Sequence, residues 1–355
     1  MTELQFPANE AAITAEWLTG ALSARFPGAK VSSATLIKKI GGTADKLRYQ
    51  LDYADRGQGD PPPSLWVKGG FDPKGAVQGE AFANEVRFFL DLAPVLPINL
   101  PDCYYGAIEP TTRNGVVVLE DLINRPATFG AATQPLTADE AARVLSLQAR
   151  YHAIFWDSDA IGRFGWLKAG GAMAGANMVE QYFGLWDGSV PLPRFESVPQ
   201  AQRDMPRVRD ALARLMRSLQ AEANCLVHGD SHPANLFFDP DGTPGYLDWQ
   251  HVMRGCWAFD LANFMVTAFT IEDRRANERA LIAHYLAELT ARGVSAPTFD
   301  QAWAKYRRYV MWPFMWVMCP PDVHPEQICT LNTARACAAI EDLGTLEAIE
   351  TGPIP

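Results

Sequence analysis

The sequence predicts an α+β protein of two lobes, a small strand-rich lobe over residues 1–120 and a larger, mainly helical lobe over residues 121–355. Three observations support this. Leu47, Tyr49, Leu51 and Tyr53 alternate with polar residues, the period of a half-buried strand. From Ala138 onward apolar residues recur at helical spacing instead. One strand-rich island, residues 225–249, interrupts those helices.

Each element has its own signal. Thr14 caps a first helix that carries Trp17, Leu18 and Leu22 on one face, with Gly28 beyond its end. A strand over 36–40 runs into Gly41-Gly42-Thr43, and the alternating strand over 47–53 follows. Residues 57–63 are a turn-rich loop, and a short strand over 65–68 stops at Gly69-Gly70. Phe82, Val86, Phe89 and Leu90 have the spacing of a helix over 81–92, and 116–119 is a short buried strand. Long helices are expected over 138–156 and 208–223, and further ones near Ala258, Ala276, Gln301 and Glu326. There are no internal repeats and no low-complexity tracts.

Composition narrows the function. The 355 residues are too many for one small core, and a 48% hydrophobic content can bury a sizeable one. A net charge of −10 argues against nucleic acid as a partner, because phosphates need a basic face. It suits a soluble protein and a cationic ligand. The first ten residues lack the basic start and apolar stretch of a targeting signal. The most apolar run, 309–321, is too short for a bilayer and Pro313 interrupts it, so no membrane segment is expected. The six cysteines are scattered without CxxC spacing and read as reduced thiols of a cytoplasmic protein.

Chemistry concentrates in CLVHGDSHPANLFFDPDGTPGYLDWQ, residues 225–250. A short apolar strand delivers His228-Gly229-Asp230, and Asn235 comes five residues after Asp230. Apolar residues 236–238, a turn over 239–242 and Tyr246-Leu247 then lead to Asp248. Phosphoryl transfer uses such a set. Mg²⁺ takes one or two protein oxygens besides phosphate oxygens and water, and Asn235 and Asp248 can supply them. A separate carboxylate must face the attacking hydroxyl, and Asp230 is placed for that. The protein-kinase catalytic loop has the same order and the same five-residue step. Two other readings stay open here. The Asp–Asn pair could be local capping of a turn. His228 and His232 could hold zinc, although Gly229 and Pro233 oppose the helix that would put both on one face.

HGDSHPANLFFD followed by LDWQ resembles the aminoglycoside phosphotransferase and choline kinase-like group, and LDWQ is also similar to its ecdysteroid kinase-like branch. The resemblance covers most of the chain and is strongest over 226–249. It implies the protein kinase fold with a hinge near Glu120, Mg²⁺, and transfer of the γ-phosphate of ATP (or GTP) to a hydroxyl of a small molecule. It also implies roles. Lys68, at a strand end, would hold the α- and β-phosphates, paired with Glu85 on the next helix. Glu80 is a rival partner, disfavoured by the Phe82-Val86-Phe89 register. Gly41-Gly42-Thr43 resembles the loop over the phosphates, or is a simple β-turn. Glu120 and Leu122, in Leu119-Glu120-Asp121-Leu122, resemble the hinge that meets the adenine, or are plain connectors. Asp260 resembles the aspartate that holds the catalytic loop's backbone, or is a helix-start charge. His152 matches a position on the long helix where it packs or braces a loop.

Two rival functions remain. A pseudokinase would hold nucleotide and transfer nothing, against which stand the intact Asp230, Asn235, Asp248 and Lys68. A metal-dependent hydrolase would use His228, Asp230 and His232. For the acceptor, the aromatic and Met-rich run from Tyr309 to Trp316 is either core or the wall of a pocket for an apolar or cationic body. No Ala-Pro-Glu element follows Asp248, so a small molecule is expected rather than a peptide.

Overall fold

The computed structural model describes residues 4–41, 44–71, 79–174, 178–320 and 323–352, so Gly42 and Thr43 of the expected phosphate loop lie outside the described residues. The chain divides into two compact units, Met1–Val95 with Leu100–Ala127, and Leu96–Asn99 with Thr128–Pro355.

The first unit is built on an antiparallel sheet of β1 (Lys30–Ile40), β2 (Asp45–Asp55), β3 (Ser64–Gly69), β4 (Cys103–Ile108) and β5 (Gly115–Glu120), in spatial order β1-β2-β3-β5-β4. Side chains alternate across a strand. Leu47, Tyr49, Leu51, Leu65, Val67, Val116 and Val118 therefore share one face, buried in one cluster with Trp17, Leu18 and Leu22 of α1 (Ala15–Leu22). Full burial of a large apolar side chain contributes about 1.5–3 kcal/mol. Thr14 caps α1 by accepting from the Trp17 amide at 3.1 Å. Alternation sends Arg48, Trp66 and Lys68 to the opposite face of the sheet. There α2 (Gly79–Arg87), which packs on β5, meets Lys68 through Glu85.

Three elements differ from expectation. The strand read over 36–40 is the end of the longer β1, whose outer half leaves Leu36, Ile37 and Ile40 exposed and so shows no alternation. The helix read over 81–92 ends at Arg87 and continues as a π-helical turn, Phe88–Leu92. β4 gave no signal because all six of its residues are half-buried.

The second unit is mainly helical: α3 (Ala138–Ile154), α4 (Met178–Phe183), α5 (Trp186–Ser189), α6 (Met205–Ala221), α7 (Trp257–Ala268), α8 (Ile271–Ala291), α9 (Phe299–Tyr309), α10 (Glu326–Asp342) and α11 (Thr345–Thr351). Every residue of α7 is buried, as expected for a helix apolar on nearly all sides. The short strands are β6 (Thr128–Phe129), β7 (Cys225–Val227), β8 (Leu236–Phe238), β9 (Pro244–Tyr246) and β10 (Met253–Gly255). β7 pairs with β10, and β6, β8 and β9 make a three-stranded sheet. No described helix is long and apolar enough to cross a membrane.

Candidate active site

β7 ends at Val227 and hands the chain to His228, Gly229 and Asp230. Gly229 has φ of +85°, and a Cβ there would stand 2.3 Å from the His251 carbonyl oxygen, so the turn requires glycine. Asp260, in the first turn of α7 and fully buried, holds this turn. Its Oδ2 accepts from the His228 amide and the Tyr151 hydroxyl, each at 2.7 Å, and its Oδ1 from the Gly229 amide at 2.9 Å. His152 Nε2 lies 3.3 Å from Oδ2, and the Ser231 hydroxyl donates to the Asp260 carbonyl at 2.8 Å. Burial opposes the Asp260 charge, but His152, His228 and Tyr151 outweigh it and hold the carboxyl below its ordinary pKa.

His228 is neutral. Its Nδ1 accepts from the Asp230 amide at 3.1 Å, so Nε2 carries the proton that goes to the Leu247 carbonyl at 2.8 Å. Burial pushes its pKa down. With both ring nitrogens engaged, His228 has no lone pair left for zinc. Among the described residues no group of three His, Cys, Asp or Glu is placed to hold a metal ion.

Asn235 closes the 3-10 turn Pro233–Asn235 before β8. Its Nδ2 donates to the Asp230 carbonyl at 2.9 Å and to Asp230 Oδ2 at 3.1 Å. Only an amide NH₂ can donate to a carboxylate, so this contact fixes the side chain's orientation and turns its oxygen away from Asp230. Asp248 has φ of 62° and ψ of 60°, left-handed, where it leads into the turn Trp249–His251. A non-glycine residue held there costs on the order of 1–3 kcal/mol, strain that clusters at functional loops. Its charge acts on both Asp230 and His228, so the two carboxylates share one neighbourhood. The Asp230 side chain is 31% exposed, with His232 Nε2 at 3.4 Å. Burial would raise its pKa, but His232 and His251 outweigh burial and the Asp248 charge and hold it below the ordinary carboxylate range.

In the first unit Lys68 Nζ lies 2.8 and 2.7 Å from the two Glu85 carboxylate oxygens, and both side chains are buried. Glu80 instead pairs at the surface with Arg87 at 2.9 Å and Arg113 at 3.3 Å. Gly41 is exposed at the end of β1, with open space where a Cβ would stand. The Glu120 side chain accepts from the Asp102 amide at 3.1 Å, and Leu122 is buried in the short turn Leu122–Asn124. Asp121, for which no role was expected, is the knot of this segment. It accepts from Arg48 Nε at 2.6 Å, from the Ser64 hydroxyl and from Trp66 Nε1 at 3.3 Å, and it caps the Ile123 amide. The signal for it lay in strand register, which sets Arg48 directly opposite Trp66 on β2 and β3.

A model of the phosphotransferase enzyme family, APH, matches residues 71–307, a span that includes Asp230, Asn235 and Asp248. The chain belongs to this family. A curated relative named as an uncharacterized kinase-like protein of Caenorhabditis elegans is 28% identical over 87 residues, 24% of this chain and 23% of the length of that relative. Among solved structures, the choline kinase LicA in complex with AMP aligns over 93% of this chain and 97% of its own, at a TM-score of 0.52 and 16% identity. A spectinomycin phosphotransferase in complex with ADP and spectinomycin aligns over 95% and 99%, at a TM-score of 0.50 and 12% identity. At such identities the likeness establishes the fold, the α+β kinase-like one with a strand-rich and a helical lobe.

Sequence reasoning located the aromatic run over 309–316 of this phosphotransferase only in outline. Tyr309, Val310, Met311, Phe314, Val317 and Met318 are fully buried, and Trp312 packs on Phe259 with ring centroids 4.8 Å apart. Most of the run is therefore core. Trp316 is its partly exposed member, with His324 at 4.9 Å and His232 at 5.8 Å between ring centroids. Burial, and then the Asp230 charge, push the Tyr182 phenol pKa up to about 12. His324 and Tyr182 had no local motif and lie on segments far from Asp230 in sequence.

Proposed function

We propose that this phosphotransferase is a cytoplasmic, Mg²⁺-dependent kinase that transfers the γ-phosphate of ATP to a hydroxyl of a small molecule. The observation that carries the reading is the Asn235–Asp230 hydrogen bond beside Asp248. It turns the Asn235 amide oxygen away from Asp230, in the neighbourhood of the Asp248 carboxylate, and Asp230 itself is ionised and partly exposed. Asn235 Oδ1 and Asp248 would hold Mg²⁺, which prefers oxygen donors. The ion would supply neutralisation of phosphate charge. Asp230 orients the acceptor hydroxyl and takes up its proton. Lys68, fixed by Glu85, steadies the α- and β-phosphates. The backbone of Gly41 covers the phosphates, and that of Glu120 and Leu122 meets the base, for which GTP is the alternative. Six free cysteines support a reducing compartment.

The test of the reaction is a screen of hydroxyl compounds, amino alcohols and glycosides included, with MgATP. Acceptor-dependent ADP release is expected; efficient phosphorylation of generic proteins and of no small compound would overturn the reading. A second expectation concerns the metal. Asp248→Ala should abolish the Mg²⁺ dependence of nucleotide binding, measured by titration calorimetry. Mg-nucleotide affinity equal to wild type would remove Asp248 from the ligand set.

The acceptor is expected to pack its apolar or cationic body on Trp316, His324 and Tyr182, with its hydroxyl toward Asp230. Trp316→Ala should raise the acceptor KM about 10-fold, the loss of one aromatic contact, while the nucleotide KM stays. Equal KM values for wild type and variant would place the acceptor elsewhere. Trp312→Ala is the contrast: its ring is core, and about 3–5 kcal/mol of stability should go with it.

A further inference from the structure

Arg194 is a fully buried cation whose partners bracket the segment that carries His324. It sits in the 3-10 turn Pro193–Ser197, between α5 and α6. Packing seats that turn: the Phe195 ring meets Trp186 at 5.5 Å between centroids, and Trp186 stacks on Phe314 at 6.3 Å. From this base the guanidinium reaches two ways. Its Nη1 donates to the carbonyls of Trp316 at 3.2 Å and Cys319 at 2.6 Å, at the end of the 3-10 helix Trp312–Met318. Its Nε donates to both carboxylate oxygens of Glu326 at 3.1 Å, and its Nη2 donates to Glu326 Oε2. The Arg194 amide and the Thr330 hydroxyl also donate to Glu326, at 3.1 and 3.2 Å. Glu326 opens α10, where a helix start favours negative charge. The last carbonyls of a helix have no partner within it, and a basic side chain can satisfy them. A planar guanidinium fork serves both ends at once; an ammonium is a point charge without that geometry.

His324 lies between the two anchor points, Cys319 and Glu326, and Trp316 is itself held through its carbonyl. The Trp316 and His324 rings meet at 4.9 Å between centroids, and His232 stands 5.8 Å from the first and 6.2 Å from the second. His232 Nε2 is 3.4 Å from Asp230 Oδ2. Arg194 therefore holds the backbone beneath the surface beside Asp230, while its own side chain is 0% exposed and out of a ligand's reach. We propose that Arg194 is a positioning residue for the acceptor. It fixes Trp316 and His324 against each other and so sets acceptor affinity. A surface ordered in advance spares the acceptor the entropy cost of ordering it on binding. The role rests on the reading of Trp316 and His324 as the surface that the acceptor's body meets.

Arg194→Met keeps an apolar stem and removes every donor of the side chain. The acceptor KM should rise about 10-fold, the worth of one aromatic contact, with the nucleotide KM unchanged. A cycle with Trp316→Ala tells positioning from general damage. If Arg194 acts through Trp316, the double variant stays at about 10-fold rather than about 100-fold, because residues acting through one contact are not additive. Arg194→Lys should not restore the wild-type KM, since an ammonium lacks the fork. Because the loss of a buried arginine could unfold the chain, Glu326→Gln gives a second reading at a side chain that is 31% exposed. Its acceptor KM should rise as well, and amide hydrogen exchange over residues 312–328 should speed up while α3 and α7 exchange as in wild type. An acceptor KM unchanged in Arg194→Met and Glu326→Gln, or effects that multiply in the double variant, overturns the positioning role. Unchanged exchange over 312–328 overturns the clamp beneath it. A wild type that releases no acceptor-dependent ADP would overturn the kinase reading and this role with it, whereas the exchange result stands without phosphoryl transfer.

Discussion

Asp230→Asn is expected to lower turnover roughly 10²–10⁴-fold, the value of a positioned base, while nucleotide affinity and folding stay near wild type. The fold should tolerate it because the side chain is 31% exposed. The new amide can still offer an oxygen to Asn235 Nδ2, now 3.1 Å from Oδ2. What the variant cannot offer is a charge to the acceptor hydroxyl. The wild-type pH profile gives a second reading of the same residue. His232 and His251 hold the Asp230 pKa below the carboxylate range against burial, so Asp230 is ionised throughout the neutral range. The acid limb of kcat/KM that belongs to Asp230 should therefore lie below pH of about 4, the ordinary aspartate pKa. ADP release with the acceptor found by screening checks both points. Turnover of Asp230→Asn close to wild type would remove Asp230 from the chemistry.

How much of this was legible in the sequence follows from contact distance along the chain. Asp230, Asn235 and Asp248 fall within nineteen consecutive residues, with Asp230 and Asn235 before the short β8–β9 hairpin and Asp248 just after it, so the local sequence brings them together. Strand β2 and helices α1 and α3 were legible because one face of each is buried, which imposes a period on the sequence. β1 and β4 lack that one-sided burial and left no period. The Lys68–Glu85 pair needed the family resemblance, since periodicity favours Glu85 over Glu80 without saying that Lys68 meets it. Asp121 was missed because its partners, Arg48, Ser64 and Trp66, stand 55 to 73 residues away. The open side of the 309–316 run was missed for a related reason. Composition shows that the run is aromatic, but only packing decides that Trp312 meets Phe259 while Trp316 meets two histidines.

Asp260→Asn should unfold more easily and lose most turnover, although residue 260 is expected to touch no substrate. The carboxylate accepts from the His228 and Gly229 amides, the Tyr151 hydroxyl and His152 in a fully buried place. An amide keeps the shape but replaces one acceptor oxygen by a donor, which then faces donors that have nowhere else to turn. A buried group left unsatisfied costs about 1–3 kcal/mol, more when a charged partner is lost. The turn that carries Asp230 would loosen with it, because the His228 and Gly229 amides are its anchors. Acid titration separates this from a general loss of packing. The folded Asp260 pKa is below its ordinary value, so its contribution to stability is complete above the unfolded pKa and is lost as pH falls through the folded one. His152 and His228 are held neutral with lowered pKa values, burial being the main cause, so their contribution is lost from about pH 6.5 downward. Wild type should therefore lose stability in two steps as pH falls, a histidine step and then a carboxylate step. The Asn variant, measured by urea unfolding from pH 8 to pH 3, should keep the first step and flatten the second. Identical acid profiles for the two proteins would show that Asp260 does not carry the loop through its charge.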